Sequence, residues 1–143
     1  MSQWTHCTAT FRIDAFEHDL TPEKIEEIIG EPRGHDRPWA DYVDSVKLLP
    51  YGSEGSLEYT IYESPDESLM AAYVITVFGD LRDYDDDKAL VAWFEDVCSH
   101  FVIRQAMITI DVEYQKTVFG SLVNEIGDEP NEYKFKYVEI REE

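Results

Sequence analysis

Apolar residues fall at every second position near the start of the chain. Cys7, Ala9, Phe11, Ile13 and Ala15 alternate with His6, Thr8, Thr10, Arg12 and Asp14. Successive side chains of a strand point to opposite faces, so this period predicts a half-buried strand over Trp4–Ala15. The spacing then turns helical at Ile25, Ile28 and Ile29. Thr21 is placed to cap the first free N–H, Pro22 suits a first helical position where an N–H would go unpaired anyway, and Gly30 with Pro32 ends the element. Two apolar stretches, Leu57–Glu63 and Leu69–Gly79, flank the turn-forming Ser64-Pro65-Asp66-Glu67-Ser68 and predict an antiparallel hairpin. Ala71–Phe78 is apolar on both alternating sets, which fits a strand covered on both sides or one whose outer face makes contacts. Leu90, Trp93, Phe94, Val97 and Phe101 mark a second helix over Lys88–Phe101. Ala106, Ile108, Ile110 and Val112 mark one face of a strand over Ile103–Tyr114. A last strand is predicted over Tyr133–Ile140, after the Gly127-Asp128-Glu129-Pro130 turn.

Residues 31–56 show no such period. They hold Pro32, Gly34, Pro38, Pro50, Gly52 and Gly55, together with Trp39 and Tyr42. An irregular stretch this long is uncommon in a compact domain without a function, and its aromatic content predicts an ordered loop with a helical turn near Trp39–Val43. The element order is β-α-loop-β-β-α-β and then one more strand. Helices after the first and third strands predict one α+β domain over residues 1–143, of ferredoxin-like (split β-α-β) type. Its antiparallel sheet would carry both helices on one face, plus an extra C-terminal strand. The outward positions would then include Thr8, Thr10 and Arg12 of the first strand, and Gln105, Met107, Thr109, Asp111 and Glu113 of the fourth.

Composition narrows the partners. Of 143 residues, 43% are hydrophobic, enough for a core of ordinary size, while 31 Asp and Glu against 12 Lys and Arg give a net charge of −19. A chain that tracks phosphates needs a basic stripe, so direct nucleic-acid binding is not expected. The longest apolar run, about Met70–Ile75, is far short of the ~20 residues of a membrane span. The start of the chain lacks a basic stretch followed by an apolar one, so no signal peptide is expected. Cys7 and Cys98 form no CxxC pair and fit reduced, buried thiols, as in a cytoplasmic protein.

The chemistry-bearing motifs are few. Asp83, Asp85 and Asp87 open like a calcium-binding loop, but Lys88 stands where that loop needs glycine and Phe94 where it needs glutamate. The run therefore reads as a helix cap and an acidic patch, with no metal. A zinc set of His6, Cys7, Cys98 and His100 fails because adjacent strand residues point to opposite faces. Gly52, Ser53, Gly55 and Ser56 could aim backbone N–H groups at an anion. With Arg12, Arg33 and Arg37 they form an alternative site for an anionic small ligand such as a nucleotide, although Glu54 and the overall charge oppose it. No nucleophile–base or cofactor pattern is present, so neither catalysis nor a cofactor is expected. Carboxylates at i and i+2 on a strand lie ~6.6 Å apart, a spacing that offers a line of negative charge to Lys and Arg built for phosphates. Asp111 and Glu113 are such a pair, and Asp80, Asp83, Asp85, Asp86 and Asp87 extend it.

Three segments carry a resemblance: Trp4-Thr5-His6, Leu49–Leu57 with its Pro50-Tyr51-Gly52-Ser53-Glu54-Gly55-Ser56 centre, and Val77–Asp83. Together they resemble small uncharacterised acidic proteins carried by phages and prophages of Gram-positive bacteria. By analogy of size and charge, the resemblance implies a host-cytoplasmic inhibitor of the anti-restriction or anti-CRISPR type, some of which mimic DNA. It assigns no binding or catalytic residue. The expectation is a non-enzymatic interaction protein that binds a basic surface of a host nucleic-acid-processing protein through the seven carboxylates named above. The alternatives are a nucleotide-binding or sponge domain and an oligomeric phage assembly protein whose exposed sheet face pairs subunits.

Overall fold

The computed structural model describes residues 2–14, 20–33, 47–65, 71–123 and 134–141. Its elements are β1 (Trp4–Asp14), α1 (Pro22–Ile29), β2 (Glu58–Glu63), β3 (Ala71–Arg82), α2 (Asp87–Ser99), β4 (Ile103–Val112), β5 (Lys116–Val123) and β6 (Lys134–Arg141). The six strands form one antiparallel sheet in the order β2-β3-β1-β4-β5-β6. The chain is thus α+β with two helices among the described residues. The sheet is one strand larger than the sequence pattern predicts, because Lys116–Val123 forms β5. The helical turn expected near Trp39–Val43 and the turn at Gly127–Pro130 lie outside the described residues.

The alternation of β1 is realised residue by residue. Thr5, Cys7, Ala9, Phe11 and Ile13 are buried, and Thr8 and Arg12 are exposed. The inward residues join Ile75, Val77 and Leu81 of β3 and Ala106, Ile108, Ile110 and Val112 of β4 in one cluster. Both helices bury their apolar stripes in that cluster, α1 through Ile25 and Ile29 and α2 through Leu90, Phe94, Val97 and Cys98. Phe11 sits at its centre, its ring 5.4 Å from that of Phe94 and edge-on to Trp93 at 6.0 Å. Thr21 caps α1 by accepting from the Lys24 N–H at 3.3 Å, with Pro22 at the first position. Two tyrosine hydroxyls donate to backbone carbonyls at either end of this short helix, Tyr73 to Leu20 at 3.0 Å and Tyr59 to Gly30 at 2.9 Å. A helix of eight residues has little stability alone, so such attachments and the buried isoleucines hold it.

The opposite face of the sheet is uncovered among the described residues. The cross-strand pairing lays Glu58, Phe78, Thr8, Thr109, Phe119 and Val138 in one row across all six strands. Phe78, Met107, Phe119, Val138 and Ile140 remain exposed there among threonines. Among the described residues, the doubly apolar pattern of Ala71–Phe78 therefore goes with an open outer face and no second covering layer. The sheet ends in two edges of opposite character: β2 carries Glu58 and Glu63, and β6 carries Lys134, Lys136 and Arg141 with Glu139.

The two faces should respond differently to loss of an aromatic ring. Phe11→Ala leaves a cavity in the core and should cost about 3–5 kcal/mol in denaturant unfolding. Phe119→Ala, on the open face, should change stability by no more than about 1 kcal/mol.

Candidate functional site

Because β1 runs antiparallel to both neighbours, its N-terminal end meets the C-terminal ends of β3 and β4. The register sets His6 opposite Asp80 on one side and Asp111 on the other. His6 Nδ1 lies 2.6 Å from Asp80 Oδ1, and Nε2 lies 3.0 Å from Glu113 Oε2. A carboxylate can only accept, so serving both requires a hydrogen on each ring nitrogen, which is the imidazolium form. The bond to Asp80, and then that to Glu113, raises the pKa of His6 above its ordinary value. The same contact, chiefly the His6 hydrogen bond, holds Glu113 below the usual carboxylate range. The backbone N–H of Trp4 donates to the other oxygen of Glu113 at 3.1 Å. Asp111 accepts from the Thr117 hydroxyl at 3.2 Å.

The acidic turn leaves β3 at the same end of the sheet. Asp83 takes φ 53 at the start of the turn and accepts from the Ser53 hydroxyl at 3.0 Å. The Thr5 hydroxyl donates to the Tyr84 carbonyl, which ties the turn to β1. Asp86 is the N-cap of α2, its Oδ1 accepting from the Ala89 N–H at 3.0 Å. Asp87 pairs at 3.1 Å with Lys116, which also meets Glu139 at 3.0 Å. Glu139 and then Asp87 raise the Lys116 pKa. All seven carboxylates expected to bind a partner thus come to one end of the molecule, but they are not equivalent. Asp80 and Glu113 share His6, Asp83 lies near Arg82, and Asp87 is joined to Lys116. Asp85 and Asp86 are exposed, and no ion pair reaches either among the described residues.

The alternative set does not assemble into one pocket. Gly52 N–H donates to the Gly55 carbonyl and Ser53 N–H to the Arg82 carbonyl, so these amides are committed. Arg33 is committed as well: its N–H donates to Ser56 Oγ, Nη1 donates to the Gly52 carbonyl at 3.1 Å, and its guanidinium lies 4.6 Å from the Tyr51 ring centre. Arg12 donates to Gln105 on the open face, level with Val74, whereas the glycine turn docks at Arg82. Eight strand residues separate those levels, ~26 Å along β3. Arg37 lies outside the described residues.

Cys7 and Cys98 are buried free thiols, and burial pushes each up to about 12, which makes them poor nucleophiles. No group of three or more His, Cys, Asp or Glu suited to a metal occurs among the described residues, and no helix there is long and apolar enough to cross a membrane. Sequence reasoning missed two features. One is the role of His6, whose only sequence signal is its place on the outward face of β1. The other is an acidic cleft beside α1, lined by Glu23, Glu26, Glu27 and Glu31 with Lys47 and Tyr59. Its glutamates were legible as the polar side of the Ile25–Ile29 stripe. The chain matches no family model, no curated protein and no solved structure.

The His6 bridge predicts a pH window. Its pKa is raised on folding, so its stabilisation is complete below the ordinary 6.5 and lost as pH climbs through the higher folded value. Glu113 is lowered, so its part is present above 4.5 and lost as pH falls through the lower folded value. Urea unfolding from about pH 5 to about pH 8 should show stability declining toward the alkaline side, and His6→Gln should flatten that slope. In the turn, Asp86→Ala should cost about 1 kcal/mol through the lost cap. Asp85→Ala should stay within about 0.5 kcal/mol by the same measurement.

Proposed function

We propose that this chain is a non-enzymatic interaction protein whose acidic end binds a basic surface of a nucleic-acid-processing protein and competes there with nucleic acid. The observation that carries this reading is the convergence of Asp80, Asp83, Asp85, Asp86, Asp111 and Glu113 on one end of a single sheet. They come from two separate stretches of chain, 80–86 and 111–113, and the antiparallel pairing of β1 with both β3 and β4 brings them together. Carboxylates in such an array present several acceptors at strand spacing to Lys and Arg side chains. The charge of −19 would steer a basic partner toward the molecule in a salt-dependent way. We also read β1–β4 with the two helices as a ferredoxin-like split β-α-β unit, to which β5 and β6 are added beside β4. The position of β3 between β2 and β1, with every neighbour antiparallel, supports that assignment. On the resemblance to phage and prophage proteins, the natural setting would be the cytoplasm of an infected host, and the role that of an inhibitor.

The experiment must spare the carboxylates with structural duties. Reversing the whole Asp83–Asp87 run would remove the α2 cap and the Lys116 pair along with the surface charge. The double variant Asp80→Asn, Asp85→Lys avoids both and leaves His6 an acceptor at position 80. In affinity capture from a bacterial lysate, the wild-type chain should retain nucleic-acid-processing proteins that duplex DNA displaces, and the double variant should lose them. A captured set indifferent to the substitutions, or retention unchanged between ~50 and ~300 mM salt, would overturn the reading.

A further inference from the structure

We infer that the cleft at the β2–β3 corner of the open face is a binding site for a single cationic side chain, Arg or Lys, of a basic partner. This inference rests on the acidic-end reading, since it names the group on the partner that the surface would grip. The cleft has a volume of about 320 Å³ and is bounded by Trp4, Phe78, Glu58 and Asp80, with Gly55 and Gly79 among its lining residues. That size is at the low end for ligand pockets, about 300–1,000 Å³, and suits one long side chain better than a nucleotide.

The register explains why these four groups meet. Glu58 and Phe78 are directly opposed across β2 and β3, and Asp80 follows Phe78 on the same face. Trp4 is opposite Arg82, and the next outward residue of β1, His6, is opposite Asp80, so the indole lies diagonal to Asp80. Trp4 reaches over the turn, where a Cβ built on Gly55 would lie 3.7 Å from the indole. The same Cβ would fall 2.0 Å from the Asp80 carbonyl oxygen, and one on Gly79 would fall 2.7 Å from that of Ser56. Glycine at both positions lets the 52–56 turn close against β3.

Two aromatic side chains and two carboxylates are the chemistry that recognises an ammonium or guanidinium. The ring faces attract a cation through their quadrupole, and the carboxylates supply acceptors for its N–H groups. Arg82, opposite Trp4, does not fill the place. Arg82 is turned to Glu54 at 2.6 Å and to Ser2 at 2.7 Å. His6 touches Asp80 through Oδ1 and anchors that carboxylate beside the cleft. Phe78 is 41% exposed, so its ring is accessible to an incoming group.

The test is an NMR titration of the full chain with Nα-acetyl-arginine amide and Nα-acetyl-lysine amide, and with the neutral isostere Nα-acetyl-citrulline amide. The cationic probes should move the Trp4 indole resonance and the Gly55 and Gly79 amides, leaving those of Glu23 and Glu26 in place, while the citrulline probe should not. Phe78→Leu should weaken the effect about three- to fivefold, the worth of one exposed cation–aromatic contact. Glu58→Gln, a near-isosteric change at an exposed position, should weaken it as well. Absence of shifts, shifts spread along α1, equal response to citrulline, or binding unchanged by Phe78→Leu would overturn the site. No partner protein enters this titration, so its failure would leave the lysate-capture result standing, and the converse holds too.

Discussion

The register of β1 is the constraint on which the rest depends. Both edges of this strand are hydrogen-bonded, to β3 and to β4, and its inward residues form the middle of the core. A slip of one residue would turn Phe11 and Ile13 to water and Thr10 and Arg12 into the core, so burial selects one pairing. That pairing also sets the open face. His6 stands between Asp80 and Asp111 only because Phe11 is paired with Ile75 and Ala106. The hydrophobic effect on one side of the sheet thus decides the electrostatics on the other.

The carboxylates at this end divide into those that hold the molecule together and those that are spare. Asp86 and Asp87 secure the start of α2, one as its cap and the other through Lys116, which reaches on to Glu139 of the outermost strand. Lys116 is only 14% exposed, so the ion pairs on it are partly shielded from water, unlike the exposed pair of Arg141 with Glu139. Asp80 and Glu113 share one histidine, which leaves net negative charge on the group. Surplus charge therefore persists after the local pairing is complete.

Much of the fold was legible in the sequence where one residue type dictates one geometry. The period of two in β1, the Thr21-Pro22 start of α1 and the outward positions of β4 all follow from side-chain direction and capping chemistry. β5 was not recognised, because Gly120 interrupts its inward set of Val118 and Leu122. The structure supplies the reason for that glycine, since a Cβ there would fall 2.5 Å from the Tyr137 ring. A glycine inside an alternating run is a mark of close approach that the sequence alone does not explain. The Asp83–Asp87 cap could be read locally. The His6 bridge could not, since it joins residues 74 and 107 positions apart. The distance between Arg12 and the glycine turn was hidden for the same reason, as it depends on which strands are neighbours and in what register.

The contrast between the two outer strands bears on how copies of this molecule meet. An unpaired strand edge is a template for another chain. Two β2 edges brought together would set glutamate against glutamate, and two β6 edges would bring together clusters of lysine and arginine. The remaining mode, β2 of one copy on β6 of the next, joins unlike patches and leaves each new end as open as the last, which is the geometry of a filament and not of a closed pair. The net charge of −19 on each copy works against that growth at every step. The excess of acid is thus also a brake on polymerisation for a sheet whose outer strands pair with no further strand among the described residues.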